Sequence, residues 1–161
     1  MIQSCLIARA LALGFALTGI FTSASAVQRG ATGVGMAYVS GGVDQSELAA
    51  LSAEKKGYSF WLTTAAKGSG AYLAGVRVRI LDARTQLPVL EHTMDGPWLL
   101  VALPLGRYEV QASHYQPGRG PVQLQKQTTT IHPGDHHQMV LYFETGDEVS
   151  PENERAPKTG S

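Results

Sequence analysis

Four residues of the kind that bind metals or move protons, His132, Asp135, His136 and His137, fall within six positions around a Pro133-Gly134 turn, with His92 and His114 elsewhere. A metal centre needs two or three imidazoles on one side of an ion, at about 2 Å. On an extended chain His136 and His137 point to opposite faces, so one ion reaches both only if the turn rotates them. His132 and His137 are able to converge across the Pro-Gly reversal. The metal-binding expectation is therefore His132, His136 and His137. It stands beside a plainer one, a polar turn entering a strand. The same three histidines define a second chemical alternative, a small hydrolase. That requires another imidazole or a carboxylate beside them in a concave pocket.

Carboxylates offer less. Asp82, Glu91, Asp95 and Glu109 lie on separate strands and turns. Acid/base hydrolysis needs two carboxyls about 5–9 Å apart across a cleft, and no spacing here produces that. Asp95 is explained by the Asp-Gly-Pro turn that it opens. The chain has no Gly-x-Ser-x-Gly elbow for a serine nucleophile. No residue is assigned a catalytic role.

Two further sets of residues fit binding. Tyr58 and Phe60 share one face of an aromatic run and Trp61 takes the other, so one set is a candidate exposed stripe. Gln123, Gln125, Gln127 and Thr129 alternate along a polar extended segment, the composition a solvent-facing edge strand tolerates. An unpaired edge recruits partners by strand addition.

The elements that must position these residues are mostly strands. Trp98 to Leu103 is apolar at every position, as a strand buried on both faces requires. Pro104 and Gly106 reverse the chain, and Tyr108, Val110 and Ala112 then alternate with Glu109, Gln111 and Ser113. Val76, Val78 and Ile80 alternate in the same way, Val89 to Met94 follows, and Met139, Leu141 and Phe143 point inward on the last strand. Val122 to Ile131 is extended but changes phase near Lys126, which predicts a bulge or an edge position. Tyr108 is expected to pack within the sandwich with its hydroxyl bonded. About seven short strands separated by Gly/Pro turns make an all-β sandwich.

One helix interrupts this pattern, at about residues 45–56. Asp44 is its N-cap, Glu47 completes a capping box, and Val43 and Leu48 are placed for a hydrophobic staple. Lys55-Lys56 suit its C-terminal end and Gly57 its stop. So short a helix must dock to persist.

The first 26 residues read as a cleaved secretory signal. Arg9 precedes an apolar run, Ala10 to Phe21, which ends in small residues at Ala24-Ser25-Ala26. The run is too short for a stable span, so no membrane segment is expected after cleavage. Val27 becomes the first mature residue, and the localisation expected is periplasmic. Cys5, the chain's only cysteine, leaves with the signal. No disulfide, cysteine nucleophile or cysteine ligand then remains. The 135 residues left are enough for one core. They divide into an N-terminal segment (27–57), a sandwich (58–144) and a disordered tail (145–161) poor in apolar residues. The mature chain carries 12 basic and 13 acidic residues with no basic block beyond Lys55-Lys56. That excludes the electrostatic footprint of a nucleic-acid binder and a polybasic membrane contact.

Gly75-Val76-Arg77-Val78, the apolar strand at Trp98, Leu103-Pro104-Leu105-Gly106-Arg107-Tyr108 and Pro133-Gly134 before the last strand together resemble the carboxypeptidase-regulatory-like, or transthyretin-like, β-sandwich domain. With Tyr38-Val39-Ser40-Gly41-Gly42, Tyr72-Leu73-Ala74-Gly75-Val76 and Asp95-Gly96-Pro97-Trp98, the chain looks like small exported proteins of Gram-negative bacteria that carry this domain. The resemblance implies an Ig-like or prealbumin-like sandwich and a periplasmic accessory or binding module. One transthyretin-like subgroup hydrolyses 5-hydroxyisourate through a C-terminal Tyr-Arg-Gly-Ser motif. Pro157-Lys158-Thr159-Gly160-Ser161 does not carry it. The expectation is thus a non-enzymatic module without a cofactor, binding an envelope protein or polysaccharide through loops or an edge strand.

Overall fold

The alternation of apolar and polar residues resolves into nine strands. They were traced in a computed structural model that describes residues 27–118 and 120–146. The expected signal segment (1–26) and residues 147–161 of the expected tail lie outside the described residues. In chain order the elements are β1 (Gln28–Ala31), β2 (Ala37–Gly41), α1 (Gln45–Glu54), a 3-10 turn (Lys55–Gly57), β3 (Phe60–Ala66), β4 (Arg77–Asp82), β5 (Pro88–Thr93), β6 (Trp98–Val101), β7 (Gly106–His114), β8 (Gln123–Ile131) and β9 (His137–Phe143). One sheet has the order β1-β2-β6-β3-β9 and the other β5-β4-β7-β8. The protein is all-β, a two-sheet sandwich with one short helix. Among the described residues no helix is long and apolar enough to cross a membrane.

The period-2 positions fill the space between the sheets. Phe60, Leu62, Leu99, Val101, Leu141 and Phe143 from one sheet meet Val78, Ile80, Val110 and Ala112 from the other, all almost fully buried. The apolar run at Trp98 forms β6, central between β2 and β3. Its two-sided burial is real. Leu99 and Val101 enter the main core, and Leu100 joins Val39 and Leu51 in a second cluster beneath the helix. Fully burying a side chain such as Leu51 is worth about 1.5–3 kcal/mol. That contribution holds a helix too short to persist alone.

The structure revises some expectations and decides between the alternatives in another. Among the described residues the strands number nine, because the Gly-rich segment from Val27 adds β1 to β2 at the margin of the first sheet. Segment 27–57 therefore supplies two strands to the same sandwich as 58–144. Of the two alternatives for the phase change near Lys126, a bulge or an edge position, the edge is the one found. β8 pairs with β7 without a break from Gln123 to Ile131, and the register shift falls at Ile80/Leu81 between β4 and β5. Val43, the N′ residue of the expected hydrophobic staple, is exposed. Thr145, at the predicted start of the tail, is still buried.

The capping box forms with a longer reach than usual. Asp44 accepts from the Glu47 N–H at 2.9 Å, while Glu47 Oε2 accepts from the N–H groups of Gly42 and Val43 at 2.9 and 3.0 Å. The helix stops at Glu54, and Lys55 lies over the Trp98 ring at 4.0 Å and the Trp61 ring at 4.9 Å.

Candidate functional site

β8 has one strand neighbour, β7, along nine residues. Its far side is an open edge of the second sheet. Leu124, Lys126, Thr128 and Thr130 face outward and are exposed, whereas Thr129 and Ile131 are buried against the core.

β8 also lies beside β9, the edge of the other sheet, and glutamines close half of that seam. Gln123 donates from Nε2 to the Glu144 carbonyl at 2.6 Å, and its Oε1 accepts from the Glu144 N–H at 2.8 Å. Gln125 donates to the Tyr142 carbonyl at 3.3 Å. Gln127, two residues on, makes no such bond among the described residues. The predicted set thus divides: Gln123 and Gln125 are tied down, Thr129 is buried, and Gln127 is exposed. The signal that could have revealed the seam was the Gln-x-Gln-x-Gln alternation, which places successive amides on one face.

Phe60 is corrected outright. It is completely buried, with the His137 ring stacked on it at 6.3 Å, and offers no surface to a ligand. Tyr58 is half-buried, and burial, with Glu54 nearby, pushes its phenol above the usual range. Trp61 faces the helix side and donates from Nε1 to the carbonyls of Lys55 and Tyr58 at 3.1 and 3.2 Å. These aromatics lock the helix end to the sheet. Among the described residues Tyr72, Tyr115 and Tyr142 are exposed instead, and Tyr72 and Tyr142 flank Ala65 as its partners on either side.

The histidines separate as strand alternation dictates. His136 stacks on Trp61 at 5.8 Å with Nδ1 2.9 Å from the Tyr58 carbonyl, while His137 turns to Phe60. At the turn, Asp135 Oδ2 accepts from the His132 N–H at 2.9 Å and so closes the loop. Among the described residues no group of three His, Cys, Asp or Glu side chains is placed to hold a metal ion. The expected centre of His132, His136 and His137 is therefore not formed.

An open cleft of about 760 Å³ lies over Asp82, Arg84, Leu105, Arg107, Glu109 and Thr128. It brings two of the candidate carboxylates to one surface without poising them. Asp82 Oδ1 accepts from the N–H groups of Arg84 and Thr85 and from the Thr85 hydroxyl. Chiefly the Thr85 N–H holds its carboxyl below the usual range. Glu109 accepts from the Gln111 amide at 2.6 Å. Elsewhere Glu91 pairs with Arg79 at 2.6 Å. A general acid needs a raised pKa, and the Asp82 environment does the reverse.

No protein-family model and no curated protein matches this chain.

Proposed function

We propose that this protein is an exported, non-catalytic sandwich of the carboxypeptidase-regulatory-like kind that binds an extended segment of an envelope protein by strand addition at β8. The observation that carries the reading is the edge itself, nine residues paired on one side only. Main-chain groups along such an edge supply affinity, and alternate side chains supply selectivity. Because Gln123 and Gln125 already bond to β9, the stretch from Gln127 to Ile131 is the part of the edge that receives the partner. Lys126 is the sole charge on the strand and blunts indiscriminate pairing. The periplasm is the compartment consistent with the N-terminal signal.

A photo-crosslinking residue at Thr130 tests this in cells, with the same residue at Leu87, remote in sequence at the start of the opposite edge, as control. The expected result is one saturable envelope adduct from Thr130, competed by an excess of untagged protein. No adduct, or equal yield from Leu87, refutes docking at β8.

A further inference from the structure

Glu47 is buried in the corner where β1, β2 and α1 meet, with 6% of its surface exposed. Its Oε2 accepts from two backbone N–H groups, but Oε1 is buried without a hydrogen-bond partner. A carboxylate oxygen removed from water and left unpaired is costly. The nearby ion pair does not relieve it, because Arg29 is committed to Glu54. The backbone of Val27 lies at the same place. A Cβ added to Gly41 would sit 3.3 Å from Glu47 Oε2 and 3.4 Å from Cα and Cγ2 of Val27. Val27 is held there by register and by packing. Gln28 pairs with Ser40, which brings Val27 opposite Gly41, and the Val27 side chain rests on the Val39, Leu51 and Leu100 cluster.

We infer that signal cleavage creates the missing partner: the new α-ammonium of Val27 docks on Glu47 Oε1, so that processing completes this corner of the fold. The inference rests on the sequence reading that a signal peptidase cuts between Ala26 and Val27. That hydrolysis adds one water across the Ala26–Val27 amide. It leaves a carboxylate on Ala26 and an amine on Val27, which takes up a proton. A neutral, single-donor amide N–H thereby becomes a cation with three donors beside a buried anion. Charge-assisted hydrogen bonds of this kind are about twice as strong as neutral ones. In the uncut chain the same nitrogen carries no charge, and the Glu47 carboxylate keeps an unpaired oxygen. The β1 strand is then held less firmly before cleavage than after it.

Two measurements test the reading and the pairing separately. The intact mass of the exported protein is expected to start at Val27, and a start elsewhere overturns the inference at its first step. Urea unfolding of the mature chain is then compared with a chain retaining Ser25-Ala26 ahead of Val27, each with and without Glu47→Gln. The expected result is that the extension raises the unfolding equilibrium constant about tenfold when Glu47 is present, and less than twofold in the Glu47→Gln background. Equal effects in both backgrounds overturn the ion pair while leaving the cleavage site intact. Should Glu47→Gln fail to fold, titration of the isotope-labelled N-terminal amine decides. It is expected to titrate above the ordinary range of about 7.7–8.0 in the mature chain only. An ordinary value there overturns the pairing.

Discussion

The Tyr108 hydroxyl donates to the carbonyl oxygen of Pro104 at 3.0 Å. The bond spans the reversal between β6 and β7 and ties a core ring to the turn that precedes it. Tyr108 is 5% exposed, and burial pushes its phenol above the usual range, with Asp82 adding to the effect. Tyr108→Phe keeps the ring and deletes the bond. The expected loss is about 1–2 kcal/mol, because the Pro104 carbonyl is left without this donor. Urea unfolding measures it, and an unchanged midpoint would show that the hydroxyl contributes nothing.

Gly96 answers to a steric limit instead. A Cβ there would fall on the carbonyl of Gly41, so the Asp95-Gly96-Pro97 turn crosses β2 at backbone contact. Gly96→Ala must push that turn or the end of β2 aside. It is expected to cost about 3 kcal/mol or more, the range of severe overpacking. Gly57→Ala, with open space around its Cβ position, is the matched control. Thermal unfolding of the two variants checks the contrast.

The legible parts of this chain were those set by local chemistry. The capping box at Asp44 and Glu47, the turn at Leu103-Pro104, and the two-sided burial of the strand at Trp98 follow from residue type and spacing. What was not legible depended on residues far apart in sequence. Phe60 and Trp61 differ in burial because of which sheet face the helix covers, and alternation alone does not say which face is inward. β1 was missed because Gln-Arg-Gly-Ala has no apolar period, and its strand state comes from pairing with β2. The glutamine seam needed the second sheet, since the carbonyls it satisfies lie 17 to 21 residues away. His136 and His137 were foreseen to diverge, and each found an aromatic ring rather than a shared ion.

His114 sets a limit on stability in acid. It is 9% exposed, its ring tilts against Phe143 at 5.6 Å, and Nδ1 is buried without a hydrogen-bond partner. Burial lowers its pKa from the ordinary 6.5. The unfolded chain therefore binds the proton first as pH falls. Stability is fully present above about pH 6.5 and is lost progressively below it, until the folded state also protonates. His92 acts in the same direction, lowered by burial and partly opposed by Asp95. His114→Phe is expected to flatten the decline between about pH 6.5 and 5 without abolishing it. Urea midpoints across that range are the measurement, and an undiminished slope would remove His114 from the account.

The β8–β9 seam separates a structural role for Gln123 from a binding role. Gln123 both donates to and accepts from the opposite backbone, at Glu144. Gln123→Ala leaves the Glu144 N–H without its acceptor, at the exposed end of an edge strand. Water reaches that end, so the expected stability cost is at most about 1 kcal/mol. The local consequence is larger than the global one, because strand ends open without unfolding the core. Hydrogen exchange at the Glu144 amide should accelerate, while amides in the centre of β3 keep their protection. If the partner docks from Gln127 to Ile131, the variant also retains the crosslink from Thr130. Loss of that crosslink with the fold intact would instead place Gln123 in the interface and move the docking site to the other end of β8.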